Sequence, residues 1–234
     1  MADQDGGFYS AEDADSEGEE GKFYIWSNNE IIELLGIKEG QCFIDMFGFK
    51  KEGNFNDEAT GELNSKNIPF LENKLSHYAK TNDINIEKLK INIEKHRSTI
   101  FNKREDRIHP LKDDKILTDW NGLMIAALAN GSKTLNKDIY IVAAKRAADF
   151  ILLKLRDNRG RLHKRYRNGL SGLQPHIDDY AFLIWGLLEI YESNFDISYL
   201  KSALDLSDIL VSDFLDKEAG GFYIGPENGE QLII

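Results

Sequence analysis

The chain has 234 residues, 41% hydrophobic and 29% charged, which is enough apolar material to bury a sizeable core. Its 29 Lys plus Arg against 40 Asp plus Glu leave a net charge of −11, which argues against a phosphate-binding surface and hence against a nucleic-acid partner. A single cysteine, Cys42, excludes an internal disulfide, a paired-cysteine redox motif and a thiolate zinc cage.

The N-terminus carries eight acids before Lys22 (Asp3, Asp5, Glu12, Asp13, Asp15, Glu17, Glu19 and Glu20) and none of the positive charge or apolar run of a leader peptide. Gly-Gly-Phe-Tyr at 6–9 opens a hairpin strand and returns at 220–223. The acidic loop then leads to Phe23-Tyr24-Ile25-Trp26. Ser27 reads as an N-cap with Glu30 in capping-box register, for a short helix ending near Gly36. Residues 40–70 are the least regular part. Ile86, Leu89, Ile93 and Ile100 mark a long charged helix ending before Pro110.

Four helical patterns follow. Apolar residues occupy every side of 116–128 and again of 180–191, the mark of helices buried all round. By contrast 139–155 and 198–215 each carry one apolar stripe against charged residues, the mark of outer helices with one wet face. We therefore expect inner helices near 116–134 and 179–194 and outer helices near 137–156 and 197–216. Turns around Asn136 and Asp196 make each pair an antiparallel hairpin. The order buried, half-buried, buried, half-buried predicts an all-α fold of two concentric helical layers, repeating every 65 residues from Asp114 to Asp179. Between the pairs, 161–166 reads as a strand reaching an Asn168-Gly169 turn, and 222–224 reaches a second turn at Asn228-Gly229. The chain opens and closes in strand-like segments, Leu232-Ile233-Ile234 at the end. It is expected to be part of a larger protein whose absent hairpins leave apolar surface open, so that the fragment self-associates. No apolar stretch approaches the roughly 18 residues of a membrane span. A cytoplasmic, membrane-free location is the expectation.

Asp13-Ala-Asp15-Ser-Glu17-Gly18 resembles half a calcium loop. Its twelfth position is Tyr24, which cannot supply the bidentate acid, so a solvated rim loop is expected. Asp113-Asp114 and Asp178-Asp179 are the sharper signal, each read at the start of a buried helix. Asp in that place caps free N–H groups and suits the helix dipole. The surroundings also suit chemistry: Trp120 and Asn121 follow one pair, while His176 precedes the other and Tyr180 follows it. Carboxylates, a histidine, an amide and aromatic faces around one opening are what a sugar site uses. Candidate acid–base residues are therefore Asp178, Asp179, His176 and Asp114, and candidate substrate-binding residues are Trp120, Asn121, Tyr180 and Asp113. If Asp179 is catalytic, Asp179→Asn keeps the cap and removes only the proton transfer. His77, His96 and His109 lie in charged or linker surroundings, and His163 in a basic strand. No HExxH, Walker loop, GxGxxG or GxSxG is present, so neither a metal nor a cofactor is expected.

The motifs Gly6-Gly-Phe-Tyr-Ser-Ala-Glu-Asp-Ala-Asp15, Asp113-Asp-Lys-Ile-Leu-Thr-Asp-Trp-Asn-Gly-Leu-Met124 and His176-Ile-Asp-Asp-Tyr-Ala181 resemble the thioredoxin-domain-containing family that includes the spermatogenesis-associated homologues. The resemblance runs essentially the whole chain. It implies an (α/α)6 toroid, similar to N-acylglucosamine 2-epimerases and six-hairpin glycosidases, with small β-hairpins on one rim. Residues 1–234 would form one incomplete toroid domain, lacking the family's thioredoxin-like domain upstream and its closing hairpins downstream. Cys42 matches no thioredoxin motif. In the related epimerases histidines exchange a sugar proton, and in the related glycosidases aspartates do the acid–base work. The resemblance thus implies a carbohydrate ligand and epimerase- or glycosidase-type chemistry. The competing expectation is a non-catalytic binding or scaffold domain that serves the remaining domains of the full-length protein.

Overall fold

The computed structural model describes residues 1–56, 61 and 63–226. The chain packs as two units: Met1–Ala11 with Asp113–Ile234, and Glu12–Lys112. Along the chain run β1 (Ala11–Glu12), β2 (Asp15–Ser16), β3 (Glu19–Glu20), α1 (Asn28–Leu35), α2 (Ile37–Met46), α3 (Leu75–Thr81) and α4 (Ile86–Glu105). They are followed by β4 (Lys112–Asp113), β5 (Ile116–Leu117), α5 (Thr118–Leu135), α6 (Asp138–Lys154), β6 (Arg165–Arg167), β7 (Leu170–Gly172), α7 (Ile177–Asn194) and α8 (Ile197–Phe214). Most of the described residues are helical, and the strands are short, with β2–β3, β5–β6 and β6–β7 paired antiparallel. The expected turn at 228–229 and the terminal strand at 232–234 lie outside the described residues.

In the first unit, α5–α6 and α7–α8 are successive helical hairpins, and α5 packs along α7. This is the repeating inner–outer arrangement of the (α/α) toroid type. Asn136 ends α5 in the left-handed conformation (φ 50°), Phe195 ends α7 likewise, and Asp196 caps α8 by accepting from the Ser198 N–H. The core joins Ile125 and Ala129 of α5 to Leu183, Leu187 and Ile190 of α7, backed by Ala147, Phe150 and Ile151 of α6 and Leu206 of α8. Burying each Leu or Ile side chain contributes about 1.5–3 kcal/mol. Close approach depends on two glycines. A Cβ on Gly122 would stand 2.5 Å from the Phe182 carbonyl carbon, and one on Gly186 would stand 2.9 Å from the Gly122 oxygen.

The inner helices differ from expectation on one side. Leu187 is fully buried and Asp205 exposed, as layering requires. Leu123, however, is exposed, together with Trp120 and Met124 on α5 and Trp185 and Leu188 on α7. Their spacing of three and four residues places them on one face of each helix, and among the described residues that face is open. Lys145, expected to be wet, is half-buried because its stem lies over the Tyr199 ring, with Nζ 5.5 Å from the centroid.

A three-stranded sheet, β5-β6-β7, leads into α5. Leu117 stands opposite Arg165, and Arg165 opposite Gly172. The expected strand at 161–166 is shortened to β6, because its first residues turn around Asp157, whose carboxylate accepts from the Arg159 and Arg161 N–H groups. Asn168 and Gly169 take positive φ, as a two-residue hairpin requires.

In the second unit Ser27 caps α1 as expected: its hydroxyl accepts from the Glu30 N–H, and Glu30 Oε2 accepts from the Ser27 N–H at 2.7 Å. Helix α4 also forms as expected, capped by Asn85. Two helices arise where irregular chain was anticipated or nothing was foreseen, α2 and α3. Gly40 interrupts the apolar pattern of α2, yet it is what lets α2 approach α1: a Cβ there would stand 2.9 Å from the Ile32 Cα. Tyr24, the twelfth position of the half calcium loop, lies in a turn. The acidic loop is a β2–β3 hairpin with Glu17 and Gly18 at positive φ.

Candidate functional site

The sequence reading placed Asp113-Asp114 at the start of the first inner helix. That is corrected by the structure: Ile116 and Leu117, apolar and therefore taken as helical, form strand β5, and the helix starts at Thr118. The acid in its first turn is Asp119. Asp113 and Asp114 sit before the strand, where Asp113 pairs with Lys115 at 3.0 Å and Asp114 with Arg167. The Lys115 pair holds the Asp113 carboxyl below the usual range.

Asp119 and Asp179 meet across 60 residues of sequence. Helix α5 has no capping side chain of its own. Its Asp119 N–H is instead taken by Asp179 Oδ1 of α7 at 3.1 Å. Asp179 Oδ2 closes back on its own helix, accepting from the His176 N–H at 2.7 Å. One carboxylate therefore caps two helices and fastens their N-terminal ends together. Between the two acids stands Lys164, whose Nζ lies 2.7 Å from Asp119 Oδ2 and 3.4 Å from both Asp179 oxygens. Its backbone is fixed on both sides: the Lys164 carbonyl accepts from Thr118 N–H, and the Lys164 N–H donates to Leu173.

The charges in this cluster do not balance. Asp179 is 0% exposed, and burial pushes its carboxyl up to about 6. The His176 N–H and the Lys164 charge pull the other way, without prevailing. Burial also pulls on Lys164, downward, but its hydrogen bond to Asp119 and the charges of both acids outweigh that and raise it. One ammonium is shared by two carboxylates and sits nearer Asp119, and at Asp179 burial prevails.

The remaining candidates fall into two groups. Trp120, 54% exposed, and His176 and Asp178, both exposed, flank the joined helix ends. Asn121 and Tyr180 are buried and fully engaged. The Asn121 amide clamps the N-terminal segment, accepting from Phe8 N–H and donating to the Phe8 and Leu117 carbonyls. The Tyr180 hydroxyl accepts from Leu162 N–H, and its ring lies 5.4 Å from that of Phe214. A cavity of about 370 Å³ is lined by Arg161, His163, Gln174, Pro175, Tyr180 and Phe214, and by none of the candidate acids. Sequence reasoning missed Asp119 and Lys164. The acid–aromatic pair was available as a signal, since Asp119-Trp120 repeats as Asp179-Tyr180.

Among the described residues no group of three or more His, Cys, Asp or Glu side chains is placed to hold a metal ion, and no helix is long and apolar enough to cross a membrane.

No protein-family model matches the chain. Spermatogenesis-associated protein 20 of Homo sapiens is 30% identical over 249 residues, covering 95% of this chain and 32% of the relative. The chain thus spans about one third of the length of the curated relatives it matches. Among solved structures, cellobiose 2-epimerase from Bacillus thermoamylovorans B4167 matches at 19% identity and a TM-score of 0.46, over 49% of this chain and 30% of that one. A D-mannose isomerase matches at 14% identity and a TM-score of 0.45, over 90% and 68%.

Proposed function

Because this chain belongs to the spermatogenesis-associated protein 20 family, of whose members it spans about a third, we propose that the joined N-terminal ends of α5 and α7 form a carbohydrate-binding rim with acid–base capacity. The observation that carries the reading is the Asp179 carboxylate accepting from the Asp119 N–H at 3.1 Å. It brings the exposed Trp120 of one helix beside the exposed His176 and Asp178 of the other. A tryptophan face covers the apolar side of a pyranose. An imidazole and a carboxylate two residues apart are a proton-transfer pair: epimerisation takes a proton from a sugar carbon and returns one to its other face, and glycoside cleavage gives a proton to the leaving oxygen and takes one from the attacking water. Asp119, Lys164 and Asp179 are the frame: their hydrogen bonds are already used in holding the two helix ends. Asp113 and Asp114, each matched by its own cation, stay outside the reacting set.

Saturation-transfer NMR of the 234-residue chain with cellobiose, mannose and N-acetylglucosamine tests this. Binding of at least one sugar, lost in Trp120→Ala, is expected. Any turnover found should fall in Asp178→Asn and His176→Ala with sugar binding retained. Binding untouched by Trp120→Ala would remove the reading. The open apolar face of α5 and α7, with Leu123, Met124, Trp185 and Leu188, favours a second reading, a non-catalytic domain that packs this face against a protein partner. Absence of all sugar binding, with a partner retained through Trp185, would favour it.

A further inference from the structure

The basic run 161–167 carries four permanent cations, Arg161, Lys164, Arg165 and Arg167, and all but one of them are matched. Arg161 pairs with Asp213 at 2.9 Å, Lys164 with Asp119 at 2.7 Å, and Arg167 with Asp114. Arg165 has no carboxylate, carbonyl or ring partner among the described residues, and its Nε is buried with no hydrogen bond. A buried donor left unsatisfied is unfavourable enough to call for an explanation. Among the described residues one other such atom is found, Arg104 Nε, and it is accounted for: that guanidinium lies 5.2 to 5.4 Å from the rings of Phe23, Tyr24 and Phe101 and pairs with Glu105. No such company surrounds Arg165.

The sheet explains what the space beside it can hold. Side chains alternate along a strand, and Tyr166 points into the core, where its ring meets Phe150 at 5.1 Å. Arg165 therefore leaves β6 on the opposite face, together with its cross-strand neighbours Leu117 and Gly172. Gly172 brings no side chain to that face, and a Cβ built on it meets nothing within 4 Å. Across the strand from that arginine there is thus an open place. It adjoins the residue that immediately precedes α5, three positions from Trp120.

We propose that Arg165 binds an anionic group, a carboxylate or a phosphate, carried by the sugar that the rim accepts, with the gap over Gly172 as its seat. The substrate class is then an acidic sugar. Guanidinium matches both anions in a planar, two-pronged fashion, and such bonds are among the stronger ones a protein makes. This rests on the carbohydrate reading above, and the test separates the two.

Calorimetric titration of the 234-residue chain with glucose, glucuronate, glucose 6-phosphate and inorganic phosphate is the experiment. We expect glucuronate or glucose 6-phosphate, whichever anion the seat fits, to bind at least about tenfold more tightly than glucose, with the gain shrinking at high salt. Arg165→Gln should remove that gain and leave glucose binding as it was, and Arg165→Lys should retain part of it. Gly172→Val fills the seat without touching the charge and should also remove the gain, which keeps the test open if Arg165→Gln does not fold. Equal binding of the three sugars overturns the inference and leaves the carbohydrate reading standing. A preference for the acidic sugars that survives both Arg165→Gln and Gly172→Val also overturns it. Arg165-dependent binding of inorganic phosphate with no sugar bound supports an anion site and removes the carbohydrate reading. No binding of any probe removes both.

Discussion

Each unit carries a capping box closed by an acid, and the two acids behave in opposite ways. In the second unit Glu30 reaches back to the Ser27 N–H and meets two cations, Arg107 at 3.2 Å and Lys66 at 3.3 Å. In the first, Asp179 reaches back to the His176 N–H, meets one cation and shares it with Asp119. Burial acts upward on both carboxyls. For Glu30 the Ser27 hydrogen bonds and Lys66 overcome it and the net shift is down, while for Asp179 burial prevails. The same local motif is therefore a relaxed fastening in one place and a strained one in the other. Exposed Trp120, His176 and Asp178 surround the strained one. Arg107, half-buried over Trp26 at 3.9 Å and bonded to the Phe23 and Ile25 carbonyls, has no such surroundings. Unbalanced charge held beside accessible polar and aromatic groups is what supports the proposed rim at this end of the two helices.

Breaking the relaxed fastening should have the largest effect. Arg107→Met leaves three carbonyls without their charged donor and Glu30 with Lys66 as its remaining cation, and is expected to destabilise the second unit by about 3–5 kcal/mol, read by urea denaturation. Sugar binding at Trp120 should survive in whatever fraction remains folded.

Asp179→Asn comes next. From sequence the substitution looked neutral for the cap. Both Asp179 oxygens, however, accept from backbone N–H groups, and an asparagine would turn its NH2 against one of them. A loss of about 2–4 kcal/mol is expected. Unchanged melting with abolished turnover would instead make Asp179 an acid in the reaction.

The two acids should also give opposite pH slopes. Asp179 holds its proton up to about pH 6 when folded, against an ordinary 3.8, so its folded form is favoured when protonated. Stability then falls as pH rises from about 4 to 6, by about 3 kcal/mol in all from this group, and is flat above. Glu30, held below its ordinary 4.5, gives stability that is present above that value and lost as pH falls through its lowered one. Urea titrations between pH 3 and 8 should lose the falling limb in Asp179→Asn and the rising limb in Glu30→Gln. A shared direction would dissolve the contrast.

Two smaller effects sharpen it. Ser27→Ala removes an ordinary cap and should cost about 1 kcal/mol, independent of salt. Trp120→Ala, on an exposed side chain, should change stability by less than about 0.5 kcal/mol while abolishing sugar binding. A large stability loss would make Trp120 part of a packed face.

The helices of the first unit were legible from their apolar periodicity, although the all-round runs of α5 and α7 leave one face exposed, and the Ser27 box was legible because both partners lie within four residues. The site was legible only in part. The run Asp113-Asp-Lys-Ile-Leu-Thr-Asp-Trp120 holds two acids before two apolar residues and one after. Nothing local says whether Ile116 and Leu117 extend the helix or pair as a strand with β6, which lies 49 residues on. Tertiary pairing decided for the strand, and that moved the helix start, and with it the acid that matters, from Asp114 to Asp119. Lys164 escaped notice for the same reason: its partners are distant in sequence. Helix α2 was hidden by Gly40, whose role is contact with α1 rather than chain breaking.

A rim laid across the ends of two helices inherits its width from how near those helices lie. Here the gauge is set at Gly122 and Gly186, where each helix meets the other with a hydrogen atom in place of a methyl group. Alanine at either position would act as a shim, one turn or two below the opening, spreading the ends that Asp179 ties. Because the atoms met first are backbone atoms of the facing helix, that spreading works against the packing of the whole pair, and the spacing of the two ends is held by two missing methyl groups rather than by any residue at the ends themselves.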